Sequence, residues 1–169
     1  GQGVPLSATV PAPEDFAAMG AFMEAFNKIK EFTVGTITQP NRNLLLWRDP
    51  AVDGIKTGHH SGAGYCLMSS AMRGDQRLIA VVMGSTSEAQ RADDSMALLN
   101  WGFRFFETHR LYEPGKMIAQ QRVWKGTTKE VQLGVAAPLL VGVPRGRYGD
   151  LKPTMDVPKL LEAPITKGQ

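Results

Sequence analysis

The sequence is poor in cysteine and lacks long apolar runs. The only cysteine among its 169 residues is Cys66, so an internal disulfide is excluded, although this does not place the protein in the cytoplasm. Cys66 stands in the apolar run GYCLMSSAM, and we interpret it as a small buried side chain rather than a reactive thiol. No apolar stretch is long enough to span a bilayer, and no charged-then-apolar leader opens the sequence. We therefore expect either a cytosolic protein or a mature or trimmed piece of a longer one.

The sequence also lacks any run of basic residues. Its formal net charge is +3, the lysines and arginines are scattered, and no aromatic residues are interleaved with them. This distribution argues against nucleic acid as a partner. Histidine is equally scarce: His59 and His60 are neighbours that a strand would point to opposite faces, and His109 stands apart. We expect no metal site and no cofactor.

The residues that are present predict an α+β fold, an antiparallel sheet with packed helices. Apolar residues three and four apart predict a helix over Glu14–Lys30, and a short strand follows over Glu31–Thr38. Three later strands, separated by a HSGAG turn and an Arg-Gly-Asp turn, predict an antiparallel meander: Asp53–His59, Tyr65–Ala71 and Arg77–Met83.

A long helix is predicted after the meander. Ser87 is its candidate N-cap, and it runs to about Thr108. Its apolar face should cover one side of the meander, with Arg91 placed away from that face; the face comprises Ala92, Met96, Leu99, Phe103 and Phe106.

The composition changes after His109, where Gly and Pro recur at short spacing. Short strands over Val123–Trp124, Val131–Leu133 and Leu139–Val143 predict a partial small all-β domain. We therefore divide the chain into residues 1–108 and 109–169.

Chemistry is indicated by Lys56-Thr57-Gly58, in mid-strand before the Gly-rich turn. A strand edge in this setting binds an extended peptide by β-addition, with a cation from Lys56 and a hydroxyl from Thr57. Gly58 would let a substrate backbone approach closely. An ordinary edge-strand lysine is the alternative explanation, since three-residue patterns recur by chance.

Several blocks together resemble the low-molecular-mass penicillin-binding proteins, serine-type D-alanyl-D-alanine carboxypeptidases. They are QPNRNLLLWRDPAVDGIKTGHHSGAGYCLMSSAMRG, RLIAVVMGS, LLNWGFRFFET and VPRGRYGDLK, and the similarity runs from about Glu31 onward. The resemblance implies a partial transpeptidase-like domain and serine acyl transfer on the D-alanyl-D-alanine end of peptidoglycan stem peptides, which β-lactams mimic. It also implies a periplasmic location or one on the outer face of the cytoplasmic membrane, with a membrane-associated parent protein.

Two of that family's three motifs are absent from the sequence. No serine is followed three residues later by lysine, and no Ser-x-Asn occurs. Ser70-Ala-Met-Arg73 has the nearest shape, but an arginine stays protonated and cannot act as a base. The nucleophile is therefore absent from this chain.

The resemblance assigns roles to the residues that match its remaining motif. Lys56 and Thr57 would bind the substrate's terminal carboxylate, and Arg42 matches an arginine aimed at the same group. A structural ion pair of Arg42 with Asp49 or Asp53 is the alternative. The backbone N–H of His59 would be one of two oxyanion-hole donors.

Two hypotheses follow. The first is a D-alanyl-D-alanine carboxypeptidase represented by an incomplete chain that is inactive alone. The second is a binding or scaffold module that keeps the carboxylate-binding wall without catalysis. In either case we expect a second chain, a swapped dimer or further residues to complete the sheet.

Overall fold

A computed structural model describes residues 25–158 and 160–168. They fall into two compact units, one ending at Gly102 and the other beginning at Phe103. Residues 25–27 are helical, and the rest of the predicted helix over Glu14–Lys30 up to residue 24 lies outside the described residues. Among the described helices, none is both long and apolar enough to cross a membrane.

The first unit is built on the predicted meander. Strands β3 (Val52–His60), β4 (Gly64–Arg73) and β5 (Gln76–Ser85) form an antiparallel sheet in the order β3-β4-β5. All three confirm the predicted strands, with each strand slightly longer than predicted. Leu67, Ala71 and Ala80 are buried in this sheet and form its core.

The region before the meander differs from the prediction. Instead of one strand over Glu31–Thr38, the chain forms a hairpin of β1 (Glu31–Val34) and β2 (Ile37–Pro40). Gly35, at φ 61°, makes the turn, because glycine adopts this left-handed conformation without steric cost. A short helix α1 (Leu45–Arg48) follows and buries Leu45 and Leu46.

The long helix α2 (Glu88–Phe105) begins where the sequence predicts. The hydroxyl of Ser87 accepts a hydrogen bond from the Gln90 N–H at 3.1 Å, which confirms Ser87 as the N-cap. Leu78 of β5 lies against α2, because a Cβ added at Gly102 would stand 2.6 Å from it. The helix therefore covers one face of the meander, as predicted.

Two predictions about α2 are wrong. The helix ends at Phe105, and β6 (Phe106–Tyr112) begins at the next residue, so Phe106 belongs to a strand. Arg91, which we placed away from the buried face, is only 2% exposed. Its guanidinium has partners inside the unit, described below, so its charge does not force it to the surface.

The second unit is mainly β-structure, as predicted. Strand β9 (Leu139–Pro144) pairs antiparallel with β6, and a second sheet has the order β10-β7-β8. The latter comprises β7 (Ala119–Trp124), β8 (Glu130–Leu133) and β10 (Leu161–Glu162). Strand β7 is longer than the predicted Val123–Trp124. The division of the chain after Thr108 stays a prediction.

A polar cluster ties β6 to the segment after β9. Glu107 accepts a hydrogen bond from the Gly146 N–H at 2.9 Å and lies 3.2 Å from Nε2 of His109. The Gly146 hydrogen bond first, and then His109, hold the pKa of Glu107 below its usual value. The His109 ring stacks on Tyr148, with ring centroids 3.9 Å apart. These contacts give His109 a structural role in the second unit.

Candidate carboxylate-binding site

Strand β3 carries the Lys56-Thr57-Gly58 motif at the edge of its sheet. Among the described residues β3 pairs only with β4, and Lys56, Thr57 and Gly58 lie opposite Met68, Leu67 and Cys66. Lys56 and Gly58 are exposed, whereas Thr57 is half-buried. This alternation follows from the two-residue period of a strand. One side of β3 is thus left for an added strand or peptide.

The Lys56 ammonium stays close to its own strand. Its Nζ donates a hydrogen bond to the carbonyl oxygen of Thr57 at 2.6 Å. Because Lys56 is exposed, its ammonium lies at the surface and is open to an anion. The predicted role of Lys56 as a carboxylate ligand stays a prediction, and this position is compatible with it.

Nothing in the described structure requires glycine at Gly58. A Cβ added there would meet only the Cβ of Cys66, at 3.9 Å, which is an ordinary contact. Cys66 itself is half-buried, less enclosed than we predicted. The empty space beside Gly58 is therefore available for a ligand backbone.

Both histidines after the motif have partners. The His59 ring packs on Tyr65 with centroids 4.1 Å apart, and Nδ1 of His60 accepts a hydrogen bond from the Gly62 N–H at 3.1 Å. The two rings therefore support the β3–β4 turn. In the part of the chain that the structure describes, no group of three or more His, Cys, Asp and Glu side chains is placed to hold a metal ion.

Arg42 lies between two anchored asparagines. The Asn43 amide is buried and donates to the Gly54 carbonyl oxygen at 3.1 Å, while its Oδ1 accepts from the Leu45 N–H. Asn41 donates to the Ile29 carbonyl oxygen at 2.9 Å. The Asn43 bond joins the Arg42 segment to β3 two residues before Lys56. The hydrogen bond of Asn43, the residue after Arg42, thus connects the Arg42 segment to the strand that carries Lys56.

The alternative role of Arg42 as a structural ion pair is not realised. Asp49 pairs with Arg73 at 2.7 Å, and Asp53 pairs with Arg77 at the same distance. The Arg42 side chain is exposed and has no ion-pair partner among the described residues. Its guanidinium is therefore available to an external anion.

The local charge of Asp49 is stabilised by its neighbours. Burial by itself raises the pKa of Asp49, but the hydrogen bond from the Ala51 N–H and the nearby Arg73 guanidinium outweigh burial. The pKa of Asp49 is consequently lowered from its ordinary value of 3.8. Asp49 stays ionised at neutral pH and fixes the turn between α1 and β3.

Arg91 is a residue of this region that the sequence prediction missed. Its Nη2 donates to the carbonyl oxygen of Arg42 at 3.0 Å, although the two residues are far apart in sequence. A usable signal existed, because Arg91, Ser95 and Leu99 are spaced by four and share one helix face. Arginine side chains are usually exposed, so this spacing alone does not indicate that Arg91 is buried.

Comparisons with known proteins agree over both units. The D-alanyl-D-alanine carboxypeptidase family model matches residues 19–87, and the C-terminal domain of penicillin-binding protein 5 matches residues 106–169. The chain is 49% identical to the D-alanyl-D-alanine carboxypeptidase DacC of Escherichia coli (strain K12), covering 86% of this chain and 37% of that protein. Against the crystal structure of penicillin-binding protein 5 from Haemophilus influenzae the TM-score is 0.74, at 40% identity, covering 94% of this chain and 49% of that one.

A further relative is the D-alanyl-D-alanine carboxypeptidase DacA of Escherichia coli (strain K12). It is 46% identical, and the alignment covers 84% of this chain and 36% of that protein. The chain thus spans a little over a third of the length of these curated relatives.

Proposed function

Because this chain belongs to the low-molecular-mass penicillin-binding proteins, the D-alanyl-D-alanine carboxypeptidase family, we propose that it forms one wall of such an enzyme's active site. The substrate is the D-alanyl-D-alanine end of a peptidoglycan stem peptide, and β-lactams occupy the same site. The serine hydroxyl loses its proton and its oxygen bonds to the carbonyl carbon of the penultimate residue. The C–N bond to the terminal D-alanine breaks, and that D-alanine leaves with a proton on its amine. Water then hydrolyses the acyl-enzyme. The serine belongs to a region of the protein outside this chain.

The chain's own residues bind and orient the substrate. Lys56, Thr57 and Arg42 hold its terminal carboxylate, where the planar fork of arginine suits two parallel hydrogen bonds. Gly58 leaves room for the peptide backbone beside the strand. The N–H of His59 donates to the oxyanion that forms during acylation, and the second donor lies on the residue carrying the nucleophile.

One observation carries this proposal. The Asn43–Gly54 hydrogen bond links the Arg42 segment to β3. Two exposed cations, Arg42 and Lys56, therefore belong to adjoining elements, and no described carboxylate neutralises Arg42. Such an arrangement is suited to binding a small anion. The substrate class implies a location outside the cytoplasm, in the periplasm or at the outer face of the membrane, and we propose a membrane-associated parent.

The test uses acylation by a fluorescent penicillin. The full-length parent protein should become labelled, and this chain alone should not, because it lacks the nucleophile. Lys56→Met in the parent should slow labelling by at least about tenfold, equivalent to roughly 1.4 kcal/mol. The control Lys125→Met, at an exposed lysine of the second unit that pairs with Glu162, should not.

A parent that is never labelled would overturn the proposal. Calorimetry with a D-alanyl-D-alanine peptide then separates the remaining alternatives. Binding without acylation would indicate a module that keeps the carboxylate-binding wall without catalysis. Absence of binding by a folded parent would exclude both functions.

A further inference from the structure

Arg91 is a buried cation that the proposed reaction does not use. It heads the largest fully buried side chains of the described residues and is 2% exposed. Removing a guanidinium from water is costly unless hydrogen bonds and charges around it compensate. Within the described part of the chain its carboxylate neighbour is Glu88, which lies 3.8 Å away and is itself half exposed. The ion pair alone therefore does not account for the burial of Arg91.

The remaining contacts of Arg91 lead to two parts of the proposed site. Its Nη2 donates to the Arg42 carbonyl oxygen at 3.0 Å, and its guanidinium lies 5.8 Å from the centre of the Tyr65 ring. Tyr65 in turn packs against His59, its partner across the β3–β4 pair. One side chain thus joins the backbone of the Arg42 segment to the end of β3.

We infer that Arg91 is a positioning residue of the proposed carboxylate site. Its guanidinium holds the backbone of Arg42 against the Tyr65–His59 end of the β3–β4 pair, so that Arg42 and Lys56 meet the same carboxylate. The side chain of Asn43, the residue after Arg42, donates to the Gly54 carbonyl oxygen and so attaches the chain to β3. The Arg42 backbone is thereby held from both sides. This inference rests on the proposed function and adds a residue to it.

The chemistry favours arginine over lysine at this position. A planar guanidinium lies over an aromatic ring while an N–H at its edge donates to a carbonyl oxygen. A lysine ammonium is a point charge on a flexible stem and reaches one of these partners at a time. Arg91→Lys should therefore retain part of the positioning of the Arg42 backbone, and Arg91→Met should lose all of it.

The experiment measures carboxylate recognition rather than activity alone. In the full-length parent, the second-order acylation rate constant is compared for benzylpenicillin and for its methyl ester, which lacks the carboxylate charge. In Arg91→Met the acid-to-ester ratio should fall at least about tenfold, since a displacement of about 1 Å costs up to a hundredfold. Arg42→Met should lower the ratio similarly, and the double variant should not lower it further.

Two controls separate positioning from general loss of structure. Arg48→Met removes an equally charged side chain from an exposed pair with Asp93, which lies on α2 as Arg91 does. Ala92→Gly weakens α2 next to Arg91 and leaves both Arg91 contacts in place. Each control should keep the acid-to-ester ratio of the unmodified protein, even where the melting temperature falls.

The outcomes distinguish this inference from the proposed function. An unmodified parent that is not acylated overturns the proposed function. A parent that is acylated and prefers the acid, with Arg91→Met keeping that preference, overturns the role of Arg91 alone. If Arg91→Met does not fold, Arg91→Lys decides, because an unchanged ratio in that variant also overturns the role.

Discussion

Gly58 and Gly64 lie on paired strands but have opposite surroundings. Beside Gly58 a methyl group would make an ordinary contact, whereas at Gly64 it would stand 2.8 Å from the Ser85 carbonyl oxygen. Gly64 also has φ +66°, a conformation that costs an ordinary residue energy. Glycine at position 64 is therefore required by the fold. At position 58 the fold leaves the residue free, and the proposed ligand supplies the reason for glycine.

Gly58→Ala should separate stability from function. The free energy of unfolding should be unchanged or should rise by up to about 1 kcal/mol, because alanine orders more readily than glycine in a strand. Acylation of the full-length parent by a penicillin should nevertheless slow markedly, since the methyl group enters the proposed ligand space. Urea unfolding and labelling kinetics measure the two effects. Unimpaired labelling would show that no ligand approaches Gly58.

Asp49 should contribute stability that depends on pH. Because its pKa is lowered in the folded protein, the contribution is complete above the unfolded value near 3.8 and disappears as pH falls through the lower folded value. Asp49→Asn should cost about 1 kcal/mol at pH 7, since a charge-assisted hydrogen bond to Arg73 is weakened. Below that pH range the difference between the two proteins should shrink.

Urea unfolding of both proteins at pH 7 and pH 3 tests this prediction. Asp93→Asn is the matched control, because Asp93 pairs with Arg48 at the surface and is 68% exposed. Exposed pairs contribute little, so the control should change stability by less than about 0.5 kcal/mol. A difference between wild type and Asp49→Asn that is the same at both pH values would contradict the prediction.

At the scale of the element, the hairpin turns set the register of the site. Gly64 begins β4 at the close of the β3–β4 turn, and its register brings His59 opposite Tyr65. Gly74 turns β4 into β5 with φ +59°, but no atom lies within 4 Å of an added Cβ. The two glycines therefore share a backbone conformation and differ in crowding.

Alanine at each turn should show this difference. Gly74→Ala should destabilise the protein by about 1 kcal/mol through backbone conformation alone. Gly64→Ala should cost roughly 3 kcal/mol, because the clash with the Ser85 carbonyl oxygen adds to the same backbone cost. Chemical denaturation of both variants measures the gap. Equal losses would mean that the segment around Ser85 moves aside easily.

The elements that could be predicted from sequence are those with local signals. The three meander strands alternate and end at Gly-rich turns, and Ser87 caps α2 through the Gln90 N–H. The end of α2 was missed because Phe106 continues the three-residue spacing from Phe103. The hairpin over β1 and β2 was missed because its few residues carry no clear alternation.

In the candidate site, too, only the local part could be predicted from the sequence. Lys56, Thr57 and Gly58 are consecutive, so one strand assignment places them together. The tie between Arg42 and β3 depends on a buried amide, Asn43, whose partner is a backbone carbonyl oxygen. The inclusion of Arg91 in the site depends on its hydrogen bond to Arg42, a contact between distant parts of the chain. Pattern and spacing carry no information about such long-range bonds.

At the scale of the whole molecule, one face of the meander is apolar and open among the described residues. Exposed side chains on β4 and β5 form it: Met68, Ile79, Val81 and Met83, with Met83 71% exposed. Contiguous apolar surface of this kind usually marks an interaction site. We propose that a second chain or further residues of the same protein cover it.

The isolated chain should therefore associate. Light scattering should give a mass that rises with concentration, and Val81→Lys should lower it, because a charge opposes burial of this face. Met155→Lys is the control: Met155 is a similarly exposed apolar residue in the second unit, at 48%. A monodisperse monomer at all concentrations would contradict the proposed cover.

The hydrogen bond from Arg91 to Arg42 spans 49 residues, whereas His59 and Tyr65 pair across a short turn. Closing a short hairpin takes about 1–10 μs, and joining distant segments costs more chain entropy. The β3–β4 pair should therefore form early in folding without other elements. The position of Arg42 relative to this pair should be fixed late. In pulsed hydrogen exchange during refolding, amides of β3 and β4 should become protected before those around Arg42.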